Sequence, residues 1–246
     1  MKTFNLMSII SILIIILFFS VKLMTDEPQP KRDPVAPPVG SYISDESKDT
    51  IIISNIISEL PEANSIHSIN NSLIFENNSK YEQAIKEVKN ALESNNKNYM
   101  LNLRLGWLYY QKGDFQESVK YYRSAFNISG KKSVEALLGD VYPQSYLKNW
   151  SEVEADYKSV LKLDPNNYTA NLKLGQIFLY RADYVPAEKY LSKVHELYPG
   201  DYSSNLSLAY TYYYLGNNSK SKELFTNVLM LSPRDSLAIK GLMLMK

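Results

Sequence analysis

Between residues 99 and 233 the apolar positions recur on two scales. The short scale is helical: Leu105, Leu108 and Tyr109 lie three and four residues apart, on one face of a helix. The long scale is a repeat. Leu105-Gly106 is followed by Tyr109, Leu138-Gly139 by Tyr142, Leu174-Gly175 by Phe178 and Leu208-Ala209 by Tyr212, at steps of about 34 residues. A second helix in each unit has its own register. It opens at Phe115, Trp150, Tyr184 and Asn218, continues through Ser118, Val153, Ala187 and Ser221, and places Tyr122/Ala125, Tyr157/Val160, Leu191/Val194 and Phe225/Val228 on one face. Asp164-Pro165, Tyr198-Pro199 and Ser232-Pro233 close three of the units.

The glycines follow the same logic. Gly106, Gly139 and Gly175 fall inside first helices, where glycine costs about 1 kcal/mol relative to alanine, so a close approach of another helix is expected there. Gly113 and Gly216 fall where a first helix ends, and Gly130 and Gly200 lie between units. None is left for a phosphate-cradling loop. Residues 65–98 read as an atypical terminal unit: Tyr81, Ala84, Val88 and Ala91 fill the second-helix positions, but Asn71-Ser72 stand where Leu-Gly is expected. In the unit over residues 132–167, the Leu138-Gly139 alignment leaves about two extra residues between the helices. Pro143 is expected to end or kink the first helix, with residues 143–149 bulging outward. Residues 236–245 are expected to form a final covering helix.

The repeated Leu-Gly-x-x-Tyr, small residue, aromatic, Ala/Val and Pro positions resemble the tetratricopeptide repeat. The resemblance implies an all-α, right-handed superhelical solenoid over residues 65–246, with about five helix-turn-helix repeats and a C-terminal capping helix. It also implies that first helices line a concave groove that takes a peptide or extended segment. Carried over unit by unit, the groove positions are Leu103, Trp107, Tyr110 and Gln111, then Ala136, Asp140 and Gln144. The third unit supplies Leu172, Gln176, Leu179 and Tyr180, and the fourth Leu206, Tyr210, Tyr213 and Tyr214. This lining is aromatic and amide with little charge, the composition of interface hot spots. Tyr109, Tyr212, Tyr122 and Phe225 are assigned to the helix interfaces instead. The lysine and asparagine with which some tetratricopeptide proteins clamp a C-terminal carboxylate are replaced here by Leu103 and Trp107, which disfavours that ligand.

Upstream of the repeats the pattern changes. Residues 4–21 carry no charge and would span about 27 Å as a helix, close to a bilayer's hydrocarbon core. No small-residue cleavage site follows Ser20, so residues 1–24 read as one uncleaved signal-anchor transmembrane helix, a cleaved signal peptide being the alternative. Lys2 stands on one side, and Lys22, Lys31 and Arg32 on the other, so charge leaves the orientation open. The short N-terminal tail favours an extracytoplasmic solenoid. Residues 25–46 form a linker with Pro28, Pro30, Pro34, Pro37 and Pro38, a semi-rigid spacer or a ligand for other modules. Residues 47–64 read as a short helical lead-in.

Composition removes several function classes. The 246 residues include no cysteine and carry a net charge of +1, against a disulfide framework, a cysteine metal site or a nucleic-acid surface. His67 and His195 lie too far apart in the repeats to share a metal, and no hydrolase or metalloprotease motif occurs. Glu152, Glu154 and Asp156 read as a solvated helix face. No catalytic residue, cofactor or metal is assigned. The expectation is a non-enzymatic, membrane-anchored scaffold that binds a protein or peptide partner, in assembly or chaperoning at a bacterial envelope. A self-associating structural protein and a glycan-binding module are the rivals.

Overall fold

The structure is a computed structural model that describes residues 63–245. The expected signal anchor, the proline-rich linker and the lead-in up to residue 62 lie outside the described residues. Within them the chain forms eleven helices and no strand. These are α1 (Ala63–Asn77), α2 (Tyr81–Ser94), α3 (Tyr99–Lys112), α4 (Phe115–Ile128), α5 (Val134–Tyr146), α6 (Trp150–Leu163), α7 (Tyr168–Tyr180), α8 (Tyr184–Leu197), α9 (Tyr202–Tyr214), α10 (Asn218–Leu231) and α11 (Ser236–Leu244). Every helix packs on the next. Odd helices also touch the next odd helix, except that α5 and α7 barely meet. The odd helices therefore share one layer and the even helices the other, as a solenoid of paired helices requires.

Local chemistry sets where each odd helix from α3 to α11 starts. Asn98, Ser133, Asn167, Asp201 and Asp235 are N-caps whose side chains accept from the backbone N–H groups of Leu101, Ala136, Ala170, Ser204 and Ala238. Each such cap is worth about 1 kcal/mol. Three of these caps also receive a tyrosine from the unit before. Tyr99 Oη lies 2.7 Å from Ser133 Oγ, Tyr168 Oη donates to Asp201 at 2.9 Å, and Tyr202 Oη donates to Asp235 at 2.6 Å. At the equivalent position the second unit has Val134, which cannot donate, and there α5 and α7 separate.

The caps correct the register of the second unit. They recur at 98, 133, 167, 201 and 235, so the single extra residue lies between Asn98 and Ser133. The turn inside each unit is constant. Ser79, Gly113, Lys148, Ala182 and Gly216 all adopt positive φ two residues before an even helix. No extra residues separate α5 from α6, and the insertion lies in residues 129–133 between α4 and α5. Pro143 neither ends α5 nor starts a bulge: the helix runs through it to Tyr146, and the Leu147 N–H donates to the Pro143 carbonyl. Proline inside a helix costs about 3 kcal/mol, through the missing N–H and the clash of its ring with the carbonyl four residues back. Val141, Pro143 and Gln144 are all buried on the continued helix, which offsets that cost.

The shift by two residues also reassigns a glycine. Gly106 and Gly175 sit at the same place in their units, where a β-carbon would come within 2.9 Å of the Tyr122 ring and 2.5 Å of Leu191 Cγ, each on the partner helix of the same unit. Val141 holds that place in the second unit. Gly139 instead faces backward, its β-carbon position 2.3 Å from Tyr122 Cε1. The Tyr122 ring is thus gripped between its own unit and the next. Small polar residues complete the close pairs: Ser118 Oγ donates to the Gly106 carbonyl at 2.7 Å and Ser221 Oγ to the Ala209 carbonyl at 2.9 Å. In the terminal unit Ser72 takes the place of glycine, fully buried, and accepts from Arg104 Nε at 2.9 Å.

Candidate functional site

Counting from the caps, the fifth, ninth, twelfth and thirteenth positions of each odd helix define one face of the layer. In α3 these are Leu103, Trp107, Tyr110 and Gln111, in α7 Leu172, Gln176, Leu179 and Tyr180, and in α9 Leu206, Tyr210, Tyr213 and Tyr214. In α5 the corrected register puts Leu138, Tyr142, Ser145 and Tyr146 there. Ala136, Asp140 and Gln144, expected from the Leu138-Gly139 alignment, are two residues early and buried. Tyr142 and Tyr146 were missed for the same reason. The cap spacing was the signal that could have found them.

Ring geometry shows that these positions form a continuous surface over α3 and α5. Tyr110 lies 5.8 Å from both Tyr142 and Tyr146, and 6.0 Å from Trp107. Tyr146 stacks on Phe115, the first residue of α4, at 4.5 Å. The same contact recurs two units on, where Tyr214 stacks on Tyr184 at 4.8 Å, with Tyr213 against it at 5.2 Å. Exposure separates the members of the face. Tyr146, Tyr180 and Tyr142 are the open rings, at 51%, 42% and 39%. Leu103, Trp107, Gln176, Leu179, Tyr213 and Tyr214 are half-buried. Tyr110, Gln111, Leu172, Leu206 and Tyr210 are buried and offer little contact area; Tyr210, for instance, donates its hydroxyl to the Leu237 carbonyl at 2.7 Å. They form the floor of the strip rather than its contact surface.

Trp107 is held in place from behind. Its indole N–H donates to Glu76 Oε1 at 2.6 Å, and the other oxygen of Glu76 pairs with the buried Arg104 at 2.5 Å. A ring fixed this way loses little conformational freedom on binding. Burial pushes the Tyr180 hydroxyl up to about 12, so it remains a protonated donor at neutral pH.

The second polar feature lies behind the strip. Asp140 is 1% exposed and pairs with Arg123 Nε at 2.6 Å. Arg123 also meets Asp156 at 2.9 Å and Glu152 at 3.3 Å. Asp156 therefore does not lie on a solvated face: it is buried where α4, α5 and α6 meet. The two buried carboxyls share the one guanidinium of Arg123, and burial raises the proton affinity of both. Burial pushes Asp156 up to about 8, Arg123 opposing the shift and Asp140 adding to it. Among the described residues no group of three His, Cys, Asp or Glu side chains could hold a metal ion, and no helix is long and apolar enough to cross a membrane.

With this geometry in view, comparison with known proteins is informative about the fold. Profiles of the tetratricopeptide repeat match residues 72–130 and 202–235. No curated protein matches the sequence. Among solved structures, a tetratricopeptide repeat protein from Parabacteroides merdae is 23% identical, with a TM-score of 0.63 over 72% of this chain and 70% of that one. YrrB, described as a TPR protein with an unusual peptide-binding site, is 18% identical, with a TM-score of 0.59 over 79% of this chain and 97% of its own. PilF of Pseudomonas aeruginosa is 15% identical, with a TM-score of 0.59 over 75% and 82%. The stretch between the two matched segments contains the unit with Val141, Pro143 and Lys148. The described part of this chain is thus an all-helical solenoid with the fold of tetratricopeptide repeat proteins, and residues 72–130 and 202–235 match the repeat itself.

Proposed function

We propose that the chain is a membrane-tethered interaction scaffold whose solenoid binds an extended, uncharged segment of a partner polypeptide on its odd-helix face. It would serve assembly or chaperoning on the extracytoplasmic side of a bacterial envelope, without catalysis of its own. One observation carries the reading. None of the sixteen side chains at the four face positions is charged, eight are aromatic, and Tyr142, Tyr146 and Tyr180 stand open. Open aromatic rings over a buried floor are where binding energy concentrates. Peptide binding by YrrB, a protein of the same fold, is in keeping with this use. The tether rests on the uncharged residues 4–21 followed by the proline-rich linker.

Self-association is the second reading, favoured by the exposed Met230, Leu231, Met243 and Leu244 on α10 and α11. The test is capture from solubilised membranes with the full chain and with a Tyr142→Ala/Tyr146→Ala variant. The expected result is a heterologous polypeptide retained by the first and lost by the second at unchanged melting temperature. Equal retention by both would refute the face as the site, and recovery of the chain alone would favour self-association. Extraction of the full chain by carbonate would refute the tether.

A further inference from the structure

The partner class can be narrowed, on the basis of the reading above. We infer that the odd-helix face recognises a proline-rich, uncharged segment in the polyproline II conformation. The first argument is charge. With no charged side chain at the face positions, an ionic ligand would be desolvated without compensation. The second is hydrogen bonding. A ligand lying across aromatic rings must leave few backbone donors facing them, and proline has none. The third is spacing. A polyproline II helix turns every three residues and advances about 9 Å per turn. Packed helices are separated by about 8–10 Å, so one turn of the ligand matches one step between touching odd helices. Trp107 on α3 and Tyr146 on α5 stand on consecutive touching odd helices, as do Tyr180 on α7 and Tyr213 on α9. Each can therefore take a proline ring from a successive turn. The conformation is also preformed in a proline-rich chain, which lowers the entropic cost of binding to a rigid strip.

The experiment uses the full chain in detergent and a capped, fluorescent peptide with the uncharged sequence of residues 34–41, PVAPPVGS, which includes three prolines. A control peptide has those prolines replaced by serine. Binding is read by anisotropy. The expected result is saturable binding of the first peptide and at least about tenfold weaker binding of the control. Tyr146→Ala and Tyr180→Ala should each weaken binding by about tenfold or more. Tyr198→Ala, an exposed ring in the loop after α8, should leave it unchanged. Equal binding of the two peptides would overturn the proline preference. Insensitivity to Tyr146 and Tyr180, or no binding at millimolar protein, would overturn the inference as a whole. The capture experiment with the Tyr142/Tyr146 variant is independent of the peptide. If it succeeds while the peptide fails, the face binds a partner of another class.

Discussion

Asp156→Asn should make the protein more stable at mildly alkaline pH and remove a pH dependence that the wild-type carries. Asp156 is buried beside Asp140 with one arginine between them, and its folded-state pKa is pushed up to about 8. An unfolded aspartate titrates near 4. Between these values the native state keeps a proton that the unfolded state has released, so stability falls as pH rises. The slope for one proton is about 1.4 kcal/mol per pH unit, or about 3 kcal/mol from pH 5.5 to 7.5. Asparagine at this position mimics the protonated acid. Its amide can donate to Asp140 and leaves the Arg123–Asp140 pair intact, with no proton to lose. The two proteins should therefore melt close together only near pH 4, and at pH 5.5 the variant should already lead by about 2 kcal/mol. From pH 5.5 to 7.5 that lead should widen by a further roughly 6–12 °C, taking about 2–4 °C per kcal/mol for a chain of this size. The assay is thermal unfolding of both proteins across pH 4–8.5, read as the difference, which cancels the titrating groups that do not interact with Asp156. A difference that does not change with pH would refute the raised proton affinity of Asp156. A variant less stable throughout would show that an ionised Asp156 holds Arg123 and contributes net stability.

Four further outcomes are expected. Gly175→Leu should destabilise the solenoid by about 1–3 kcal/mol or more, because its β-carbon alone would come within 2.5 Å of Leu191 Cγ; an unchanged urea midpoint would reject the contact. Ala182→Gly should raise stability by about 0.5–1 kcal/mol, since Ala182 is held at φ 60°, and a lower melting temperature would show that the turn carries no such strain. Phe225→Ala should cost about 3–5 kcal/mol because the ring is fully buried, whereas Tyr146→Ala, half in solvent, should cost under about 1 kcal/mol; comparable losses would mean that Tyr146 belongs to the core. Val134→Tyr should supply the missing donor to Asn167 and raise stability by about 0.5–1.5 kcal/mol, and a neutral result in urea unfolding would show that the other tyrosine–cap contacts do not hold units together.

The paired helices were legible because each unit repeats a burial pattern. Ala84, Val88, Ala125, Val160, Ala187, Leu191, Phe225 and Val228 are all buried, at the places their spacing implied. The register of α5 was not, because two glycines can answer to one pattern. Gly139 follows a leucine and precedes a tyrosine by three, as Gly106 does, yet it packs against the unit before it. A glycine marks close approach without naming the helix that approaches. N-caps are less ambiguous, since a cap side chain bonds its own helix. The Asp156 cluster was hidden for a different reason. Its members Arg123, Asp140 and Asp156 come from three helices, so no spacing along one helix distinguishes the buried Asp156 from its exposed neighbour Glu152.

The candidate site inherits one weakness from the sequence. Its rings are contiguous from Trp107 to Tyr146 and again from Tyr184 to Tyr214, but between them lies the joint of α5 and α7. There Val134 replaces the tyrosine that elsewhere ties one unit to the next cap. Side-chain bridging includes Arg181 at the end of α7 with Glu154 on α6, which Lys158 also pairs at 2.6 Å. Hydrogen bonding to Lys158, with Arg181 beside it, holds the Glu154 carboxyl below its usual range. Exposed pairs of this kind contribute about 1 kcal/mol or less and weaken with salt. The strip is thus two well-tied aromatic halves across the least-packed joint of the stack. A ligand long enough to contact Tyr146 and Tyr180 together bridges that joint and adds contacts the free protein lacks. Binding such a ligand should therefore stabilise the solenoid by more than the sum of two short ligands that each occupy one half.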